Sequence, residues 1–389
     1  SGKHQIAAAV AVGAPSASAC FGKGKLPEIT ILYTNDVHTY IDHKSPELTY
    51  ASIAALKKSY EEQGKNVLLV DAGDHIQGTA YGSMDDGATI IRLMNEAGYD
   101  LATPGNHEFD YGMDRAKMVL KEADFPYVSC NWIDLRSGLR VLPSIKLFNI
   151  KGAFVAFVGI TTPETFTKST PAYFMNAKQT RYIYDILGGD DGAKLYDAVQ
   201  KAIDKAKTLG ADYIIGLGHL GVDPSSAPWT SKDVIAHTTG FNAFIDGHSH
   251  STIEMEMVKN KDGKEIPLSS TGTKLVNIGK LTISNGVFTT ELVSDYAAKD
   301  DTADAFVKSI QEKNEALVNT VVARTSVDLT TKRADGTRAV LLTSSMAMVE
   351  WEWPSSTASM PVVLAIRSVE RHGSEDSSMP RWGLTSVWM

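Results

Sequence analysis

From Glu28 onward the chain alternates short β-rich runs with amphipathic helical segments, and groups of Asp, His or Asn residues stand where several of those runs end. That alternation restricts the fold to a layered α/β architecture, in which ligand sites collect where strands end and loops begin. The pattern predicts strands over 29–33, 66–70, 101–103, 127–130, 154–160, 213–217 and 243–246, and helices over 50–62, 88–97, 113–123, 193–209 and 231–238. In the segment 193–209, Leu195, Ala198, Val199 and Ile203 recur near helical spacing while Lys194, Lys201 and Asp204 are left for solvent, so one face packs on a sheet. After His250 the texture changes to alternating strands over 275–283 and 287–293, joined by Asn285-Gly286, a pair suited to a two-residue hairpin turn. Residues 300–319 read as a connector helix with Ala305, Phe306, Ile310, Ala316 and Leu317 as its apolar positions.

Composition limits what the polar groups can do. A net charge of −8 with no Lys/Arg run argues against a nucleic-acid polymer as partner, because phosphate-backbone binding rests on a basic face. A small anionic substrate would instead need metal ions or a local cationic pocket. Cys20 and Cys130 are the whole thiol complement, too few for a disulfide framework or a thiolate metal site, so any metal must use His, Asp and Asn. At 389 residues, 43% hydrophobic and 22% charged, the chain affords a large core and exceeds what a single core usually serves.

The two ends differ from the middle. Residues 1–26 read as a secretory signal remnant and linker: Lys3 and His4, the apolar run 6–12, then Ala17-Ser18-Ala19 before Cys20. This predicts an exported protein, periplasmic, cell-surface or extracellular, with lipid attachment at Cys20 as an alternative. No later stretch approaches the roughly 20 apolar residues of a membrane-spanning helix. From about Thr331 the pattern is irregular, with Trp351, Trp353, Trp382 and Trp388 set among serines and no sustained period.

Five polar clusters carry the chemistry. Asn35-Asp36-Val37-His38 follows the first strand, and the alternation of Asp36 and His38 lets both turn to one side of an extended segment. Asp71-Ala72-Gly73-Asp74 follows the second, where Gly73 permits a tight turn and Asp74 can bridge two cations. Gly105-Asn106-His107-Glu108-Phe109-Asp110 follows the third, Gly218-His219 ends another, and Asp246-Gly247-His248-Ser249-His250 again sets two histidines on one side of an extended run. Any one of these is a commonplace turn or helix cap. Five in series offer mixed N and O ligands, about four per ion for a divalent pair with one shared carboxylate.

These clusters, with Thr34 ahead of the first, resemble the calcineurin-like metallophosphoesterases. Gln77-Gly78-Thr79, Phe109-Asp110 and the run Gly159-Ile160-Thr161-Thr162-Pro163-Glu164 make the chain similar to the 5′-nucleotidase and 2′,3′-cyclic-nucleotide phosphodiesterase branch, over about residues 29–329. The resemblance implies a β-sandwich flanked by helices and a dinuclear centre of Zn²⁺, Mn²⁺ or similar ions. It implies that Asp36, His38 and His250 hold one ion, that Asn106, His219 and His248 hold the other, and that Asp74 bridges them. It implies that Asp110 orients His107, which stabilises charge on the phosphoryl group or protonates the leaving oxygen. The substrate would be a small nucleotide or other phosphoester; the residues that bind its nucleoside part are not readable. On this reading 27–299 is the catalytic domain, 300–320 the connector, and 321–389 an altered or truncated remnant of the branch's substrate-binding domain, whose opening strand Thr325-Ser326-Val327-Asp328-Leu329 resembles. Asp71 and Glu108 are expected to buttress their loops. His75 is expected to point away from Asp74 in a supporting or neutral role, and His43, His237 and His372 to be exposed and without partner clusters.

Overall fold

The computed structural model describes residues 25–41 and 48–318. Strands β1 (Ile29–Thr34), β2 (Asn66–Asp71) and β3 (Leu101–Ala102) open the chain, with helices α1 (Tyr50–Glu62), α2 (Ala80–Ser83) and α3 (Ala88–Ala97) between them. Next come α4 (Met113–Glu122), the short strands β4 (Trp132–Asp134) and β5 (Leu139–Arg140), then β6 (Ile145–Ile150) and β7 (Ala153–Thr161). They lead through α5 (Thr165–Lys168), β8 (Tyr184–Ile186), α6 (Ala193–Thr208), β9 (Tyr213–His219) and α7 (Ser231–His237) to β10 (Ala243–Ile245). Strands β11 (Thr252–Lys259), β12 (Glu265–Thr271), β13 (Ile278–Ser284) and β14 (Val287–Val293) precede α8 (Asp301–Val318).

The strands form a five-stranded sheet in the order β14-β13-β1-β2-β3, a six-stranded sheet in the order β11-β12-β10-β9-β7-β6, and a small sheet β5-β4-β8. Ile29, Ile31, Tyr33 and Val70 of the first sheet pack against Val155, Phe157, Ile215 and Ile245 of the second. The outer face of the first sheet is covered by α1, α3 and α8 through Ile53, Leu93, Met94, Ala303 and Val307. Helices α6 and α7 cover the second sheet through Leu195, Val199, Ile203 and Val234. The result is a four-layer helix, sheet, sheet, helix stack, the predicted sandwich flanked by helices. Strands buried on both faces read as unbroken apolar runs, which is why β1, β7 and β9 are legible in the sequence.

Local chemistry starts the helices where expected. Thr49 and Thr230 each accept from a backbone N–H at the start of α1 and α7, with Ser52 and Asp233 returning the bond in reciprocal capping boxes. Asn285 and Gly286 both adopt positive φ in the predicted hairpin turn between β13 and β14. The helix expected as a connector also builds the outer layer, since Ala303, Val307 and Ile310 are buried in the cluster that includes α1 and α3.

Three sequence expectations are corrected. Residues 127–130 form no strand; Tyr127 makes an isolated bridge to Ala102, and the run is spent on single bonds such as Val128 N–H to the Ala102 carbonyl. Strands β4, β5, β6, β8, β11 and β12 lie where none was predicted: β11 is an edge strand with alternate exposed residues and two glutamates, and β12 carries Pro267 just outside its pairing with β10. His237 is exposed, as expected, yet its ring stacks on Tyr196 at 4.2 Å. The signal remnant up to residue 24, Cys20, His43, His372 and the tail from residue 319 lie outside the described residues.

Candidate metal centre

The loops that leave β1, β2, β3, β9 and β10 meet at one edge of the facing sheets and bring the predicted side chains together. Asp36, His38 and His250 offer ligand atoms within 4.8 Å of one another, and Asp74, His219 and His248 form a second such group. Asp74 lies between the groups, its Oδ2 3.0 Å from His219 Nε2 and 3.9 Å from His38 Nε2. Asn106 is buried next to this pair, in a loop fixed by the His107 N–H donating to Asp74 Oδ1 at 2.8 Å. Beside it, His107 Nδ1 lies 2.7 Å from Asp110 Oδ2.

The backbone that aims these groups is not the extended one expected from their alternation. Asp36, His38, Asp74, His248 and His250 all adopt positive φ, at 50°, 50°, 61°, 81° and 55°. Each left-handed non-glycine residue costs on the order of 1–3 kcal/mol and persists only where its surroundings impose it. Here they do: the Asp36 and His38 N–H groups donate to the carbonyls of Gly73 and Asp74, and the Asp36 carbonyl accepts from Lys274. Two glycines permit the crowding, because a Cβ on Gly105 would lie 2.3 Å from Asp74 Oδ1 and one on Gly247 2.8 Å from Asp36 Oδ2.

Hydrogen bonds decide which atoms face the centre. Asp36 Oδ2 accepts from the Asn35 side chain at 2.7 Å and the His248 N–H at 2.9 Å, while Asp36 Oδ1 has no hydrogen-bond partner. The Asn106 Oδ1 atom is likewise buried without one, whereas His219 Nε2 faces Asp74 Oδ2 at 3.0 Å. His38 Nδ1 is bonded to the Gln77 carbonyl and His219 Nδ1 to the Ala72 carbonyl, so both rings donate from Nδ1 and turn Nε2 inward. Orphaned buried acceptors are costly. A convergent set of carboxylate, amide and imidazole lone pairs is what a divalent cation requires.

The electrostatics agree. Burial pushes His38 down to about 4, which keeps its imidazole neutral. Burial acts the same way on His219, but the carboxylates of Asp74 and Asp36 outweigh it and lift that ring to about 10. Burial works against ionisation of Asp36 and Asp74, yet the His219 charge leads the effects that hold both below the ordinary carboxylate range. The site therefore draws positive charge into the space between its carboxylates.

Residues 29–252 match the family described as Calcineurin-like phosphoesterase. The chain belongs to that family. Among its relatives, the 5′-nucleotidase of Mus musculus is 32% identical over 258 residues, 62% of this chain and 40% of that protein. The trifunctional nucleotide phosphoesterase protein YfkN of Bacillus subtilis (strain 168) is 31% identical over 253 residues, 57% of this chain and 16% of that one. The chain thus spans about two fifths or less of these relatives' length. Among solved structures, the 5′-nucleotidase precursor of Thermus thermophilus superposes with a TM-score of 0.64 at 25% identity, covering 78% of this chain and 62% of that one.

Beneath these groups lies a support that sequence reasoning saw in outline. Glu108 accepts the N–H groups of Gly105, Asp74 and His75 at 2.6, 2.8 and 2.8 Å, tying the second loop to the third. Asp71 accepts from the Gly73 N–H and from Thr34 Oγ1. His75 does point away from the ligand groups, but it is far from idle: its Nδ1 lies 2.8 Å from Asp71 Oδ1 and its Nε2 2.8 Å from the Tyr127 hydroxyl. Burial alone would depress His75, and the nearby Glu108 and Asp71 carboxylates raise it to about 9. A value raised above the unfolded 6.5 adds stability that is fully present below pH 6.5 and lost as the pH rises through 9, about 3 kcal/mol in all. Replacing His75 by Leu leaves two buried carboxylates without their cation, at about 3–5 kcal/mol. Urea unfolding of both proteins from pH 6 to 9.5 should show the variant less stable at pH 6 and its profile flatter; equal slopes would refute the charged role.

Sequence reasoning missed the parts played by Asn35 and Glu164. Asn35 spans the sheets, its amide oxygen accepting from the Thr271 N–H and hydroxyl and its NH₂ reaching Asp36 and the Gly272 carbonyl. Glu164 Oε2 lies 2.6 Å from His248 Nε2. Both residues stood in runs that carried the resemblance, but Thr271 and Gly272 are remote from Asn35 in sequence, as His248 is from Glu164.

Proposed function

We propose that this chain hydrolyses phosphate esters with two divalent cations, Zn²⁺, Mn²⁺ or similar, and that its substrates are 5′-nucleotides, 2′,3′-cyclic nucleotides or both. The observation that carries this reading is the meeting of two groups, Asp36, His38 and His250 and Asp74, His219 and His248, each with candidate ligand atoms within 4.8 Å of one another, and with Asp74 Oδ2 3.0 Å from His219 and 3.9 Å from His38. Asp36, His38 and His250 would hold one ion, Asn106, His219 and His248 the other, and Asp74 both. Ions held there lower the pKa of bound water and withdraw charge from phosphoryl oxygens.

The remaining work falls to side chains. Asp110, an acceptor when ionised, takes the Nδ1–H of His107 and fixes the ring, so that Nε2 is the atom presented to the phosphoryl group or the leaving oxygen. Asp74 Oδ1 also holds the His107 N–H, which couples the imidazole's position to the ligand loop.

The nucleotide preference is supported by the relatives, which include 5′-nucleotidases of mouse and other animals and a nucleotide phosphoesterase. We assign residues 27–299 to the catalytic domain, 300–320 to a connector and 321–389 to a remnant of a substrate-binding domain. Export fits the signal-like residues 1–26, and no helix of the described residues is long and apolar enough to cross a membrane. Initial rates with AMP, 2′,3′-cyclic AMP, p-nitrophenyl phosphate and its bis ester test the proposal, each with chelator and with Mn²⁺ or Zn²⁺ restored. Turnover should vanish with chelator and return with the ion. Hydrolysis of the simple esters without the nucleotides would make the chain a general phosphatase, and no turnover at all would leave a binding protein on a phosphoesterase scaffold.

A further inference from the structure

Three histidines of the two groups have a ring nitrogen bonded to a carbonyl or carboxylate oxygen, and the third differs from the other two. His38 and His219 donate from Nδ1 to main-chain carbonyls. His248 is held from the opposite nitrogen and by a carboxylate, Glu164 Oε2 at 2.6 Å from Nε2, with both side chains largely buried. The carboxylate is itself fixed. The Ser226 hydroxyl donates to the same oxygen at 2.7 Å, while the Glu164 backbone is anchored by its N–H to Thr162 Oγ1 and by its carbonyl, which accepts from Thr167 and Lys168 at the start of α5.

We infer that Glu164 is a positioning residue for His248: steadied by the Ser226 hydroxyl, it takes the Nε2–H, so that Nδ1 is the atom turned toward Asp74 and His219. A charged acceptor binds the imidazole N–H more strongly than a carbonyl and makes the opposite nitrogen a better electron-pair donor. The group Asp74, His219 and His248 should therefore owe part of its cation affinity to a residue that does not touch the cation. The group Asp36, His38 and His250 has no such carboxylate behind its rings among the described contacts, since His38 rests on the Gln77 carbonyl. This rests on reading both groups as cation sites.

Titration of the metal-stripped full chain with Mn²⁺ or Zn²⁺ against a chromophoric chelator tests it. The wild-type chain should take up two equivalents. Glu164→Ala should keep one equivalent near wild-type affinity and weaken the other by about 10–100-fold, the effect usual for removing an outer partner of a metal-bound histidine. Glu164→Gln keeps an acceptor and loses the charge, so it should fall between, and Ser226→Ala should shift the same site by less. Melting of each metal-free variant, read alongside, separates positioning from folding. Unchanged uptake of both ions by Glu164→Ala would overturn the inference, as would equal weakening of both ions with a lowered metal-free melting temperature. The milder variants carry the same test if Glu164→Ala does not fold. A wild-type chain that took up no ion would overturn the metal reading itself, and is recognised before any variant is compared.

Discussion

Asp74→Asn is expected to lose kcat/KM by roughly 10³ or more, because it removes the carboxylate that lies closest to both groups, and a metal centre contributes several kcal/mol of charge stabilisation. Asp74 Oδ2 faces His219 at 3.0 Å and His38 at 3.9 Å, and no other carboxylate of the described site spans the two groups as closely. The substitution spares the fold. Asn accepts the positive φ of 61° better than most residues, and an amide oxygen can still accept the His107 N–H that Oδ1 receives. Metal content should drop from two equivalents while the far-ultraviolet circular dichroism stays that of the parent. Two tightly held equivalents with full activity would remove the bridging assignment.

His107→Asn should lower kcat by about 10² or more and leave both ions in place, the loss expected when a positioned acid is removed. The ring is held by Asp110 at 2.7 Å and its edge approaches the His38 ring, with centroids 5.3 Å apart, so it stands beside the ligands without belonging to either group. Esters with good leaving groups need less protonation, so p-nitrophenyl phosphate should suffer less than a nucleotide if His107 serves the leaving oxygen. If it stabilises phosphoryl charge, both should fall alike. Loss of an ion from the variant would make His107 a ligand and reassign its loop.

Much of this fold was legible because its central strands and helices are regular. The predicted helix limits 50–62 and 88–97 coincide with α1 and α3, where capping Thr49 and the left-handed Gly87 and Gly98 mark the ends. Strands β11 and β12 escaped notice because their pattern depends on neighbours: β11 is half exposed at an edge, and Pro267 in β12 is tolerated only outside the β10 ladder. The run 127–130 looked like a strand from its residues, yet no neighbour offers it a ladder.

The sequence by itself determined which residues meet at the site. Asp, His and Asn following β-rich runs had to gather at one sheet edge once those runs paired in parallel, and Asp36, His38, Asp74, Asn106, His107, Asp110, His219, His248 and His250 do lie there. How they are aimed was decided by tertiary structure. Five of these residues, Asp36, His38, Asp74, His248 and His250, sit in left-handed conformations that local preference disfavours, held by bonds between loops such as those from the Asp36 and His38 N–H groups to Gly73 and Asp74. The nitrogen each histidine turns inward depends on a carbonyl or carboxylate from a different loop, 39 positions away for His38, 147 for His219 and 84 for His248. Hydrophobic periodicity is local and survives in the sequence, whereas the direction of a lone pair is fixed by whichever donor or acceptor folding brings to the other side of the ring.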